Sequence, residues 1–205
     1  FDSPFVFFTV PDELTFVFQV SIPLVRGGNA SESIAFTIEE NVPLSLADTI
    51  FDFAPTNINQ VESEYKAEVV VAAVVKNEVE KFIEVIRASG MEPVGCIHES
   101  QAITNAVLPK KTTGISCVIH SRKDRIGIYL VKNDLVHFAT IRSISAGDYK
   151  NQFLDEYEKF VEYSLRYSPD NKSTIKNLLV CGEFESAKQI VESVMEGDAK
   201  MKDAK

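Results

Sequence analysis

From Ile115 to Gly147 the chain alternates apolar runs of strand length with short polar turns. Ile115–Ile119 and Ile126–Val131 are apolar throughout, and Val136–Ile144 alternates more loosely. The stretches Ser121–Arg125 and Lys132–Asp134 separate them, so the pattern predicts a three-stranded meander. A long helix over Asp148–Tyr167 follows, with Phe153, Tyr157, Phe160, Val161 and Ser164 on its inner face and Asp148 as N-cap. Asn177–Cys181 predicts another strand, Gly182 a tight turn, and Phe184–Met195 a last helix before a charged, frayed tail from Gly197.

The first half mixes the same two periodicities. Phe5–Val10 is an aromatic and β-branched run that predicts a buried strand, and Thr15–Ile22 a second strand stopped by Pro23. These two strands either pair or mark the entry into a new subdomain. Gly27–Gly28 is a loop. Asn29 with Glu32 predicts a capping box ahead of a helix whose apolar face is Ile34, Ile38 and Val42, ended by Pro43. Thr49–Phe53 predicts a strand and residues 54–65 a polar, irregular stretch. Ala67–Val75 is a strand apolar on both faces. Lys76–Ser89 is amphipathic, with Val79, Phe82, Ile83 and Ile86 on one stripe and Gly90 as C-cap. Pro93–Ile97 is a short strand, and His98–Leu108 a helix ending at Pro109. The run from the second strand reads β-α-β-β-α-β, a compact α+β unit.

Composition narrows the function classes. With 45% hydrophobic and 25% charged residues the chain can bury a core, and no apolar run reaches the roughly 18 residues of a membrane helix. A net charge of −9 argues against nucleic acid, which needs clustered Lys and Arg. Cys96, Cys117 and Cys181 lack metal-ligand spacing and read as buried free thiols, so no metal site is expected. Carboxylate pairs such as Glu39/Glu40 and Asp155/Glu156 read as solvated faces.

Several stretches, in order, resemble the PilM family of actin-like proteins, relatives of the cell-division protein FtsA. They are Phe5–Pro11 with Val20–Pro23 (VSIP), then Ile34–Pro43 (IAFTIEENVP) with Asp52–Phe53. Val69–Val75, Ala88–Met91 and Glu99–Ala102 follow, and Cys181–Glu183 closes the set. The meander, a glycine and a long helix are also how each half of an actin-like ATPase opens. The resemblance implies an α/β fold, a partial actin-like ATPase (ribonuclease H-like) fold with an inserted α+β subdomain. Residues 1–19 would end the first domain, 20–97 form the insertion, and 98–205 hold the connecting helix and a partial second domain. The family begins with a strand–turn–strand upstream of anything here, so the chain reads as a fragment or a shortened relative.

That family's second phosphate turn has the form D-x-G-x-x-x-T. The Asp positions metal and water, the Gly admits backbone amides to phosphate, and the Thr supplies a hydroxyl. Here His120, Arg122 and Ile126 stand at those three places. The resemblance therefore implies a pseudo-ATPase, with neither ATP nor magnesium expected as cofactor. Ser121–Arg125 is either a remodelled anion site of Arg122, Lys123 and Arg125 or a solvated basic turn. Gly147, Gly182 and Glu183 would lie beside a nucleotide's ribose and base, or simply join strand to helix. His98, His120 and His137 read as ordinary strand-end histidines, with no nucleophile at a matching spacing.

The implied role is a scaffold at the cytoplasmic face of the bacterial inner membrane, serving a type IV pilus or related secretion platform. The implied partner is a PilN-like membrane protein docking a short cytoplasmic peptide, with homo-oligomers as a further option and no membrane insertion. Phe16 and Phe18 are either a core face or a wall of that peptide's groove. Two alternatives stand beside this reading. One is an ATPase completed by upstream residues. The other is an FtsA-like scaffold, which would end in an amphipathic membrane helix; the charged tail Asp198–Lys205 shows no apolar face.

Overall fold

The computed structural model describes residues 3–23, 29–61, 64–144, 149–166, 175–183, 185 and 187–193. The readings placed on Gly27–Gly28, Gly147, Asp148, Phe184 and the tail from Gly197 lie outside these residues, as does the side chain of Ser164. The chain forms two compact units that meet in sequence between Ala102 and Ile103.

In the first unit β1 (Phe5–Val10) pairs in parallel with β5 (Glu92–His98). Helix α2 (Lys76–Ala88) covers one face of this pair. Val10 and Val79 pack there with Val74, bordered by Phe8, Leu14 and Ile83, and the Phe8 and Phe82 rings lie 6.0 Å apart. The predicted α2 stripe is the buried one. Its end closes as expected: Gly90 takes φ +77°, and the Met91 amide reaches back to the Ile86 carbonyl at 3.2 Å. The expectation of a buried first strand fails for half of its residues. Val10 is buried, but Phe5 and Phe7 on the opposite face are 61% and 74% exposed. Strand residues alternate between faces, and α2 covers only one.

The second sheet of this unit is antiparallel, in the order β2 (Thr15–Pro23), β4 (Glu64–Val75), β3 (Thr49–Val61). Central β4 is the strand read as apolar on both faces, and Val69, Val70, Val71, Ala73 and Val74 are all buried. Helix α1 (Ala30–Asn41) lays Ile34 and Ile38 on this sheet, and Val42 follows them into the core. Asn29 caps it: its Oδ1 accepts from the Ser31 amide at 3.0 Å, while its Nδ2 donates to Glu32 at 3.4 Å. Only half of a capping box forms, because Glu32 bonds the cap's side chain and not its backbone.

Two expectations for this region are corrected. Residues 54–65 are mostly strand: β3 runs on to Val61, paired with Glu64 of β4. The register shifts between Pro55 and Asn57, which absorbs a proline that has no amide for the ladder. The Thr56 hydroxyl in that bulge donates to the Glu68 carbonyl at 3.0 Å. The β-α-β-β-α-β run also does not close on itself, because β5 leaves the three-stranded sheet and joins β1. Cys96 on β5 is exposed, so the three thiols are not all buried. Cys117 is the buried one, and burial pushes its pKa far up.

Helix α3 (Glu99–Val107) contains the boundary between the units. The second unit is a four-stranded sheet in the order β8 (Leu135–Ser143), β7 (Arg125–Lys132), β6 (Ile115–Ser121), β9 (Ile175–Gly182). The meander is antiparallel and β9 runs parallel to β6. Asn133 and Asp134, both at positive φ, make the tight β7–β8 turn that matches sheet twist. Helix α4 (Tyr149–Arg166) buries Phe153 and Phe160 on Ile115, Cys117, Ile119, Ile126, Ile128 and Leu130. Losing Phe153 from such a site costs about 3–5 kcal/mol.

Glu156 on α4 is not a solvated carboxylate. Its side chain is only 18% exposed and joins Arg142 of β8 at 3.0 Å to Lys159 at 2.9 Å. These bonds, Lys159 first, hold its pKa below the usual carboxylate value. A depressed carboxylate stabilises the fold above its unfolded pKa and stops doing so as pH falls through its folded pKa. Glu156→Gln should therefore lower stability by roughly 0.5–1 kcal/mol at pH 7, given how exposed both cations are. In denaturant titrations the difference from wild type should shrink as pH falls below the ordinary carboxylate range; a gap that stays constant with falling pH would count against the ion-pair account.

Candidate functional site

The turn between β6 and β7 is closed by the Arg122 amide donating to the Arg125 carbonyl at 2.9 Å. Beside it, the Ile144 amide at the end of β8 donates to the Asp124 carbonyl at 2.8 Å. Strand alternation then decides where the three key positions go. Ser121 pairs with Ile126, which puts Ile126 on the face of Ile115, Cys117 and Ile119 under α4, fully buried. His120 lies on the other face, between Gly127 and Cys181 in the ladder, and is part-exposed. Arg122 is half-buried, and Lys123 and Asp124 are exposed. Arg125 donates from Nε to Asp124 at 3.4 Å, so part of the turn's positive charge is met within the turn.

Gly182 sits opposite Ser121 in the parallel ladder, at φ +111°. A Cβ there would lie 2.0 Å from the Ser121 carbonyl oxygen, so only glycine fits. The same carbonyl accepts the Glu183 amide at 2.9 Å, and the Glu183 carbonyl accepts from Ala187 at the start of the helix over 187–193. Gly182 and Glu183 thus lie beside the β6–β7 turn, joined to it through the backbone of Ser121. Gly147 is outside the described residues.

Phe16 and Phe18 lie elsewhere. They pair with Ala73 and Val71 on the face under α1, part-buried against the Ile34/Ile38 cluster. This is the core-face arrangement. Among the described residues of the second unit, clefts lie at both ends of the sheet. One of about 160 Å³ is lined by Arg142, Ile144, Gln152 and Glu156, at the same end of the sheet as the β6–β7 turn. The other, about 460 Å³, lies at the opposite end, between Thr104, Leu108, Lys110, Lys111, Val131 and Asp134. No group of three or more His, Cys, Asp or Glu positioned to hold a metal occurs among the described residues.

One polar cluster escaped the sequence reading. Asp12, 6% exposed, accepts the Ser100 amide at 2.9 Å, and His98 Nδ1 accepts the Gln101 amide at 3.3 Å. His98 Nδ1 also lies 2.8 Å from the Ser100 hydroxyl. Together they cap the N-terminus of α3. An accepting Nδ1 requires a neutral ring, and burial lowers the His98 pKa accordingly, against the pull of Asp12. Asp12 and Ser100 are 88 residues apart, so no local signal marks the pair. His137, also read as a strand-end histidine, is buried at the irregularity between β7 and β8, and burial lowers its pKa to about 4.

A meander flanked by one parallel strand, with a glycine turn packed on the meander's first loop, can be compared with solved structures. The chain superposes on PilM from the PilM-PilN type IV pilus biogenesis complex with a TM-score of 0.70, over 94% of this chain. The fold is that of PilM. Identity to it is 16%, and the chain spans 66% of PilM's length. It is thus a partial actin-like ATPase fold, as the resemblance implied. More distant are the cytoplasmic domain of EpsL, an inner-membrane component of the Vibrio cholerae type II secretion system (TM-score 0.49, 9% identity, 94% of this chain and 74% of that one). So too is a Bacteroides thetaiotaomicron protein of actin-like ATPase fold and unknown function (TM-score 0.45, 13% identity, 87% and 61%). No family model and no curated protein matches the sequence.

The packing on Ser121 makes a sharp expectation. Gly182→Ala should cost at least about 2 kcal/mol, from the backbone clash and the positive φ together. Denaturant unfolding without any nucleotide should read this directly. An Ala variant as stable as wild type would mean that the glycine does not hold β9 on β6.

Proposed function

We propose that this chain is a non-catalytic scaffold of the PilM type, a cytoplasmic component of the inner-membrane platform of a type IV pilus or a related secretion system. The observation that carries the reading is Ile126. The phosphate turn of an actin-like ATPase needs a hydroxyl at this position, and here a fully buried isoleucine fills it as part of the α4 core. Arg122 stands where a glycine would let amides approach a phosphate, and His120 where a carboxylate would organise metal and water. A turn so composed positions neither magnesium nor an attacking water, and the chain acts by binding proteins. The PilM superposition supplies the partner class: PilM was solved in complex with PilN. The partner is a PilN-like inner-membrane protein that presents a short cytoplasmic peptide. Membrane attachment then comes through that partner; none of the described helices is long and apolar enough to cross a membrane.

Calorimetric titration of the full-length protein with Mg-ATP should give no binding heat, and a synthetic peptide from the cytoplasmic N-terminus of the PilN-like partner should bind. Magnesium-dependent ATP turnover that disappears in His120→Ala or Arg122→Ala would overturn the proposal. Because Phe16 and Phe18 pack under α1, Phe18→Ala should lower stability by about 2–4 kcal/mol. A variant that keeps full stability and loses only the peptide would place Phe18 in the groove instead.

A further inference from the structure

Among the described residues, three that are not glycine take left-handed backbone: Lys111 (φ +64°), Asn133 (φ +53°) and Asp134 (φ +63°). This conformation crowds a Cβ against the carbonyl oxygen, so it is costly for any residue but glycine. Glycine is the usual second residue of a two-residue hairpin turn, yet Asp134 keeps a carboxylate there. Strain of this kind collects where side chains are put to use. Lys111 and Asp134 line the same cleft of about 460 Å³, with Lys110 beside Lys111 and with Leu108 and Val131 as apolar wall. All five residues belong to the second unit.

In an extended chain consecutive side chains point to opposite sides. Here the Thr112 hydroxyl closes the turn onto the Pro109 carbonyl, Lys111 is left-handed, and both lysines line the cleft. Two like charges are thus placed on one rim. Several other cations of this acidic chain meet its own carboxylates: Lys81 joins Glu78, Arg87 joins Glu92, and Arg142 and Lys159 join Glu156. Lys110 and Lys111 are exposed and meet no carboxylate among the described residues.

We propose that this cleft docks a short acidic segment of a partner protein, at the end of the sheet away from the β6–β7 turn. A carboxylate of the segment pairs with Lys110 and Lys111, an apolar side chain enters against Leu108 and Val131, and Asp134 accepts a backbone amide. Asp134 also selects the occupant. A carboxylate on the rim repels the flat anionic surface of a bilayer, whereas a peptide can present an N–H to it. The site is independent of whether the chain binds nucleotide.

An array of short peptides tests this on the full-length protein, each with a central Leu flanked by Glu and Asp, by Lys and Arg, or by Ser and Gln. The acidic set should bind at least about 10-fold tighter than the others, weaken as salt rises, and lose its advantage in Lys110→Glu/Lys111→Glu. Both side chains are exposed, so that variant should keep its fold. Lys111→Gly separates charge from backbone. It should raise the denaturant midpoint, because glycine relieves the left-handed strain, and weaken the acidic peptides at least about 3-fold. No preference for the acidic set, wild-type binding in either variant, or a lower midpoint in Lys111→Gly would overturn the proposal. So would retention on phosphatidylglycerol vesicles that Lys110→Glu/Lys111→Glu abolishes and the peptides leave unchanged, which would assign the lysines to a lipid surface.

Discussion

Strand β6 has no solvent face, and the second unit is built around that constraint. Antiparallel β7 takes one of its edges and parallel β9 the other. Residues Ile115–Ile119 are all buried, so each must be small or apolar, and both faces of the sheet must be covered. Helix α4 supplies the cover on the Ile115/Cys117/Ile119 side. The loops at the C-terminal end of β6 inherit their positions from this arrangement. The β6–β7 turn and the Gly182 turn converge because their strands are neighbours, and the Ser121 backbone, fully buried, joins them.

The same geometry gives the groups of the β6–β7 turn structural roles. A phosphate turn gives up packing so that backbone amides and a hydroxyl can face a ligand. Here Ile126 faces the core, Gly182 is consumed by close contact with Ser121, and Arg125 bonds Asp124. Each group that would meet a nucleotide has a partner or a burial role inside the protein.

The helix that contains the boundary between the units is held by a different device. Its N-terminal amides are met by Asp12, from a turn 88 residues earlier, and by a neutral His98. A carboxylate at a helix N-terminus is favoured by the exposed amides and by the helix dipole. Because Asp12 is buried, the cap also pins the end of β1 to the start of α3.

Element type was largely legible because it is periodic. The stripes of α1, α2 and α4, the apolar runs of β4, β6 and β7, and the glycine at the end of α2 all stand in the linear pattern, as does the order that resembles PilM. Residues 54–61 misled because their polarity hides a strand: β3 is held there by backbone bonds to β4, which composition does not record. The positions of His120, Arg122 and Ile126 in the turn were likewise visible. What the linear order determined, then, was the elements and which residues stand in the β6–β7 turn. Only the tertiary structure decided that Ile126 points into a core, that Phe16 and Phe18 pack under α1, and that β5 joins β1 and leaves Phe5 and Phe7 bare. The reason is physical. Local periodicity sets which face of an element is apolar, but partner choice, register and cover are set by contacts between residues far apart in the chain.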